Sequence, residues 1–366
     1  MTGDTMRILH VLNHTNRLNG HVHAAVDLAC AQREAGHAVA IASGGGDFDT
    51  LLTSAGVETM VLDHRRRPAV LAASALALHR LIRRWRPDVV HAHMMTSAVL
   101  AWPGCRVAGI PLITTVHNAF QKSAVLMGLG TRVIAVSAAV GASMQARGIP
   151  ASRLDVVLNG TIGSIRQRGR ERVPVTLDRP VILFVGGLHP RKGLPDLLEG
   201  FDIAWARHPE ARLCIVGDGP FAAEYRAMAG RLACARAVTF AGAQADPFGW
   251  MLGADIFVLP SHADPAPLVL PEAREAGCAV IGTDVDGIPQ LLGDGRAGII
   301  VPPRDPQAIA RALCDLLGAP ETLHRWRANS QADIANLTIA RVMHETSDVY
   351  ARALADRGRP LGAIVM

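Results

Sequence analysis

Apolar residues fall in short continuous runs, separated by longer stretches in which they recur at helical spacing. Met6–Leu12 (MRILHVL) reads as a buried strand, Val22–Ala35 as a helix stopping at Gly36, and Ala38–Ser43 and Val57–Leu62 as further strands. Pro68–Trp85 is a helix with Leu71, Ala75, Leu78 and Ile82 on one stripe; strands follow at Asp88–Ala92, Pro111–Val116 and Arg132–Ser137, then a helix Ala138–Arg147 and a short strand Asp155–Leu158. Strands that are apolar throughout, alternating with helices, predict a parallel sheet covered on both faces. Thr161–Pro180 is polar, Arg-rich and broken by Gly and Pro, and reads as a linker. The style then repeats, with strands at Val181–Val185, Arg212–Val216, Val238–Ala241, Ile256–Leu259, Ala279–Gly282 and Gly298–Val301, a helix Asp305–Leu317, and a largely helical Arg325–Leu354. The fold class is α/β: an N-terminal Rossmann-like domain (1–165), a linker (166–180) and a C-terminal Rossmann-like domain (181–335), each a doubly wound parallel sheet. A helical tail (336–366) follows and is expected to pack back toward the first domain. The two sheets are expected to face a cleft, with ligands at the carboxyl ends of the strands.

Composition narrows the classes. A chain of 366 residues, 49% hydrophobic and 19% charged, is a folded protein of two or three domains. Its six cysteines lie scattered in apolar segments with no C-x-x-C spacing, which argues against a zinc ribbon or disulfide framework and fits a reducing cytoplasm. Aromatics at 4% leave little for stacking single-stranded nucleic acid. Met1–Thr5 reads as a ragged leader without the order of a signal peptide, and no apolar run reaches the ~18–20 residues that span a bilayer. The net charge of +5 is carried by arginine, with lysine only at Lys122 and Lys192. Arg65–Arg67 and Arg80, Arg83, Arg84 and Arg86 bracket the helix from Pro68. They read either as solvated helix ends suited to the dipole or as a peripheral contact with an anionic membrane on the inner face of the cytoplasmic membrane. No nucleic-acid module accompanies them.

Three stretches carry chemistry. In VILFVGGLHPRKG a buried strand ends at Gly186-Gly187, and a loop delivers Arg191-Lys192-Gly193 to the start of a helix. Glycines allow close backbone approach, a helix N-terminus favours anions, and two cations add charged hydrogen bonds, so the functional reading is a diphosphate clamp and the structural one an ordinary strand-to-helix turn. LCIVGDGP, Leu213–Pro220, is a second Gly-rich strand end, but it lacks the G-x-G-x-x-G of nicotinamide sites. In IFVLPSHADPAPLVLPEAREAGCAVI, Asp264 and Glu272 flank seven residues around a loop and helix start. Carboxylates there can accept hydrogen bonds from sugar hydroxyls, or serve as a loop cap and a first-turn dipole residue.

Taken together, GGLHPRKG, VGDGP, ADIFVLPS and the D-x7-E loop resemble the C-terminal half of retaining, GT-B-fold glycosyltransferases of family 4, the "group 1" family. Asn19-Gly20, Ala35–Val39, Pro87–His93, Thr115–His117, Ile134–Ser137 and Asn159-Gly160 match the N-terminal half in order and spacing. The resemblance implies a hexosyl-type transferase of polysaccharide biosynthesis, with 1–165 as the acceptor domain and 181–335 as the nucleotide-sugar donor domain. Its donor would be a nucleotide-sugar, its acceptor a glycan or lipid-linked glycan; no cofactor and no metal would be needed. It implies that Lys192, helped by Arg191 and the Gly186-Gly187 turn, contacts the donor diphosphate, and that Glu272 holds the ribose. Asp264 would lie at the donor sugar, Gly20 near the diphosphate and His117 at the reacting sugar. The loop after Asp264, through Leu268 and Val269, would offer backbone N–H groups. The chain departs from the family pattern at Asp264 (usually Glu), Gly187 (usually Arg), Gln290 (usually Glu) and Thr161-Ile162 (usually Val-Asp). Two rivals stay open: a nucleotide-sugar epimerase on the same fold, and a non-catalytic partner subunit.

Two further patterns bear on metals. His21/His23 and His91/His93 are H-x-H pairs whose members would share one face of a strand. Asp47-Phe48-Asp49 and Asp284-Val285-Asp286 are carboxylate pairs of the kind that hold a divalent ion on a diphosphate.

Overall fold

The structure, a computed structural model, describes residues 5–17, 19–65, 67–168 and 172–356. Residues 1–4 of the expected leader, Arg66 of the basic cluster, 169–171 of the linker and 357–366 of the tail lie outside the described residues. Two units divide the chain, residues 5–168 with 338–356, and residues 172–337.

The first unit is built on strands β1 (Arg7–Val11), β2 (Ala38–Ser43), β3 (Glu58–Val61), β4 (Val89–Ala92), β5 (Leu112–Val116), β6 (Arg132–Ala135) and β7 (Leu154–Val156). They form one parallel seven-stranded sheet in the order β3-β2-β1-β4-β5-β6-β7. The second unit holds β8 (Val181–Val185), β9 (Arg212–Val216), β10 (Val238–Gly242), β11 (Ile256–Leu259), β12 (Ala279–Thr283) and β13 (Ile299–Val301), a parallel sheet ordered β10-β9-β8-β11-β12-β13. In both sheets the chain starts near the middle, winds outward to one edge and returns to the other side, so the strand order reverses beside β1 and beside β8. The continuous apolar runs are explained by burial: every residue of β4, β5, β8, β11 and β12 is buried.

Helices α1 (Gly20–Glu34), α2 (Asp49–Ser54), α3 (Pro68–Trp85), α4 (Met95–Ala108) and α5 (Ala138–Ala146) belong to the first unit. The second has α6 (Leu194–Trp205), α7 (Ala222–Ala229), α8 (Phe248–Gly253), α9 (Val269–Glu275), α10 (Ile288–Leu291), α11 (Pro306–Leu317) and α12 (Pro320–Ser330). A final helix, α13 (Ile339–Ala355), belongs to the first unit. The expected helical stretch Arg325–Leu354 is thus two helices, interrupted after Ser330 and restarted where the Thr338 side chain accepts from the Arg341 N–H. Val349, Tyr350 and Ala353 of α13 pack on Ile8, Val89, Ile113 and Ile134 of the first sheet. Burying an apolar side chain of this size contributes roughly 1.5–3 kcal/mol, so the tail is part of that core.

The polar stretch expected to be a linker is docked at both described ends. Thr161 and Ser164 are buried, Ile162 bridges to Thr338, and Arg166 grips Asp27 of α1 with both Nε (2.8 Å) and Nη2 (2.7 Å). Past the undescribed residues, the Val175 N–H donates to the Gly249 carbonyl at 2.9 Å. Composition misses this docking because Thr161, Arg166 and Arg168 find their partners, Asp27 and Glu34, 134 to 139 positions away. No helix among the described residues is long and apolar enough to cross a membrane.

Candidate active site

In the second unit, three strand ends converge on one loop cluster. After β8 the chain passes Gly186-Gly187, makes a single 3-10 turn at Pro190–Lys192 and enters α6 through Gly193. Gly193 has φ +66°, and a Cβ there would lie 1.9 Å from the Pro260 carbonyl oxygen at the end of β11. Gly217, with φ +142°, lets the end of β9 press equally close to the Gly186 carbonyl. The two glycines therefore serve the approach of loop to loop. The His262 N–H donates to the Arg191 carbonyl at 2.7 Å, and the His262 ring Nε2 meets Asp196 of α6 at 2.6 Å, so the cation-bearing turn is tied to the β11 loop from both sides.

Within this frame the Lys192 Nζ donates to Asp264 Oδ2 at 2.5 Å. The Ser261 hydroxyl donates to the same oxygen at 3.2 Å, and Arg191 Nη1 stands 4.0 Å from Oδ1. Lys192 and Asp264 are largely buried, whereas the Arg191 side chain is 46% exposed. The Asp264 N–H in turn donates to Asp286 Oδ2 at 2.6 Å. Burial raises the Asp286 carboxyl above its ordinary value; the N–H of Asp264 pulls it back, and the Asp264 charge adds to the rise. Asp286, half of the carboxylate pattern that a metal-dependent rival would use, fixes the Asp264 loop. Glu272 is buried in the first turn of α9, with Leu268 at its cap and Val269 at its first position. Next to it, Arg274 donates to the carbonyls of Ser330, Leu291 and Ala332 and anchors α9 to the end of α12. A side chain at Gly187 would meet the ring of His189 at 3.2 Å.

Sequence reasoning placed Lys192 and Arg191 together on the donor diphosphate and Asp264 on the donor sugar; the structure puts Lys192 in contact with Asp264 and Arg191 4.0 Å from it. Ser261 and the His262–Asp196 pair were missed, because nothing in their local sequence marks them, and Asp286 was singled out for a different role from the one it has.

The first unit carries a second group of residues. His10 from β1, His91 from β4 and His93 just past it, and His117 just past β5 stack at the carboxyl side of the sheet, with ring centroids 4.1 Å apart for His91/His93 and 5.5 Å for His93/His117. Burial lowers His10 to about 4 and His117 to about 3, the latter with a further push from His21, so these rings are neutral at pH 7. His91 and His93 are lowered well below the ordinary histidine value for the same reason. His117 lines a cavity of about 130 Å³ together with Met94, Thr96, Thr115, Asn118 and Gln121. Gly20, the first residue of α1, is exposed, and a Cβ on it would meet nothing within 4 Å. No packing reason within the described residues calls for glycine there.

The H-x-H pairs differ in kind. His91 and His93 do lie on one side of the sheet and stack. His21 and His23 lie on helix α1 instead, where residues two apart diverge: His21 faces His117, and the His23 ring donates to the Arg17 carbonyl. In the other Asp-x-Asp pattern, Asp47 accepts from the Arg17 N–H and Asp49 from the Thr15 hydroxyl and the Gly46 N–H, so both cap loops.

Two doubly wound units, each with its candidate site residues at the carboxyl ends of its strands, are the architecture of the GT-B fold. The family model described as "Glycosyltransferase Family 4" matches residues 18–161, and that described as "Glycosyl transferases group 1" matches residues 179–319. The chain belongs to the family 4, group 1 glycosyltransferases. A phosphatidyl-myo-inositol mannosyltransferase of Mycobacterium tuberculosis is 32% identical over 261 residues, 65% of this chain and 67% of that relative. A D-inositol 3-phosphate glycosyltransferase of Streptomyces griseus is 28% identical over 352 residues, 80% of this chain and 73% of the relative. Among solved structures, Anabaena Alr3699/HepE in complex with UDP and glucose superposes with a TM-score of 0.79 at 19% identity, covering 94% of this chain and 99% of that one.

Proposed function

We propose that this protein transfers a hexosyl group from a nucleoside-diphosphate sugar to a glycan or lipid-linked acceptor, with retention at the anomeric carbon and without a metal. The observation that carries the reading is the Lys192–Asp264 pair, a largely buried cation and carboxylate at the start of α6 where three strand ends meet. On donor binding, the diphosphate takes the Lys192 ammonium, and Asp264 is left to accept hydrogen bonds from the sugar. Arg191 and the first N–H groups of α6 add positive potential where the leaving diphosphate gathers charge. Glu272 accepts from the ribose hydroxyls, the N–H groups after Asp264 at Leu268 and Val269 face the donor, and Gly186-Gly187 leave room for the diphosphate. The acceptor oxygen attacks the anomeric carbon on the face from which the diphosphate departs, and its proton passes to the departing phosphate oxygen. A neutral His117 serves this reaction as a hydrogen-bonding group and not as an acid.

A UDP-bound neighbour and relatives named for inositol-containing acceptors support a nucleotide donor and a polyol-bearing or lipid-linked acceptor. The basic end of α3 at Arg83 and Arg84, with Leu76 half exposed on that helix, supports a peripheral contact with an anionic membrane. NMR of the glycosidic product tests the reading: it should carry the anomeric configuration of the donor. An inverted product would remove the front-face mechanism, and sugar isomerisation without an added acceptor would favour the epimerase.

Glu272→Gln is expected to weaken nucleoside-diphosphate binding, and Asp264→Asn chiefly to lower turnover. Every donor state presents the ribose, whereas the sugar changes in the transition state. Calorimetric affinities beside steady-state rates separate the two, and unchanged nucleotide affinity in Glu272→Gln would end the ribose assignment. Turnover is also expected to persist in EDTA, because Lys192, Arg191 and the α6 N-terminus supply the positive charge. Loss of turnover on chelation, restored by magnesium or manganese and abolished again by Asp284→Ala, would contradict it.

A further inference from the structure

Hydrogen bonds join seven side chains of the first unit into one chain with a single sense. His10 Nε2 lies 2.7 Å from Gln32 Oε1, and a carbonyl oxygen only accepts, so Nε2 carries the proton. A neutral imidazole has one N–H, which makes His10 Nδ1 the acceptor for His93 Nε2 at 2.8 Å. The same step makes His93 Nδ1 an acceptor and His117 Nε2, 3.2 Å away, its donor. In the other direction the Gln32 amide donates to Tyr350 Oη at 3.2 Å, the Tyr350 hydroxyl donates to His91 Nδ1 at 2.6 Å, and His91 Nε2 donates to Thr115 Oγ1 at 2.6 Å. Both ends, His117 and Thr115, line the same cavity. His117 Nδ1 has no hydrogen-bond partner among the described residues.

We infer that this chain is a tautomer lock: the Gln32 amide, acting through His10 and His93, holds His117 as the Nε2–H form and leaves its Nδ1 as a bare acceptor for a substrate hydroxyl. The part played by the substrate rests on the function proposed above; the lock itself does not. Gln32, His10 and His93 are positioning residues, and Tyr350 of α13 carries the same sense on to His91. Apolar side chains could fill this space without polar groups to satisfy, and a buried polar network is stabilising only when every member is paired. Here each member has its partner in one order. A metal is the rival use of His10, His91 and His93, whose ligand atoms lie within 4.8 Å of one another. All six of their ring nitrogens already have hydrogen-bond partners, and a zinc at ~2.0–2.1 Å from each would displace the His10–His93 bond.

Long-range proton–nitrogen NMR on the full chain labelled at histidine reads the tautomers without reference to activity. The expected spectrum shows His10, His91, His93 and His117 all as Nε2–H forms. Gln32→Leu should leave His117 as a mixture and lower kcat roughly tenfold, as for one lost neutral hydrogen bond, with a smaller change in donor KM. Should that variant fail to fold, Tyr350→Phe carries the test: His117 should stay Nε2–H while His91 alone loses its preference. A wild-type His117 protonated at Nδ1 or mixed, or zinc retained stoichiometrically by the purified chain and lost in His10→Asn, would overturn the lock. The expected spectra with unchanged kinetics in Gln32→Leu would instead overturn the role given to His117.

Discussion

Lys192→Ala is expected to lower turnover by one to two decades, and by more than Arg191→Ala. The ammonium is largely buried, and its loss removes a charged hydrogen bond worth roughly 1.5–3 kcal/mol to the departing diphosphate. Arg191 is about half exposed and 4.0 Å from Asp264, so water screens and partly replaces it. The pairing also predicts coupling: in a Lys192→Ala, Asp264→Asn double variant the two losses should fall short of their sum, because each single change already breaks the same contact. Steady-state kcat/KM for the four proteins measures this, and near-wild-type turnover in Lys192→Ala would reject the clamp.

Arg166→Ala is expected to destabilise the first unit by roughly 3–5 kcal/mol, the cost of stripping the partner from a buried charge. Asp27 has a fully buried side chain, held by two of the three guanidinium nitrogens of Arg166 and by the Thr161 hydroxyl, and Ala at 166 leaves only the hydroxyl. Replacing both charges, as in Asp27→Leu with Arg166→Met, should recover much of the loss. Urea denaturation followed by a probe in the first unit checks it. A loss below 1 kcal/mol would show that Asp27 finds another partner.

How much could be read from the chain follows from the range of the interactions. Runs such as Val181–Val185 and Ile256–Leu259 announce buried parallel strands because all their residues are covered, and the stripe Leu78, Ile82 marks the inner face of α3. Element ends shift by a residue or two, where caps and turns outweigh the apolar pattern. The short α2 hides behind a Gly-rich turn, and α4 carries Pro103 within it. The residue types of the candidate site were visible at Lys192, Asp264 and Glu272, each beside a Gly- or Pro-rich strand end. Their partnership was not: Lys192 and Asp264 are 72 positions apart, Gln32 and Tyr350 are 318 apart, and no local pattern encodes a contact that only the sheet order creates. His91 and His93 look like a metal pair in sequence because spacing reports a shared face and says nothing of the hydrogen-bond partners awaiting each nitrogen.

The central claim is that a nucleotide-sugar is bound and cleaved at the Lys192–Asp264 pair. The most direct measurement is release of nucleoside diphosphate from a panel of UDP-, GDP- and ADP-sugars by the wild-type chain and by Lys192→Ala. The account predicts turnover of one of these donors by the wild type and a loss of at least about tenfold in the variant. Equal release by both proteins, or none from any donor by a folded wild type supplied with glycan and lipid-linked acceptors, would contradict it.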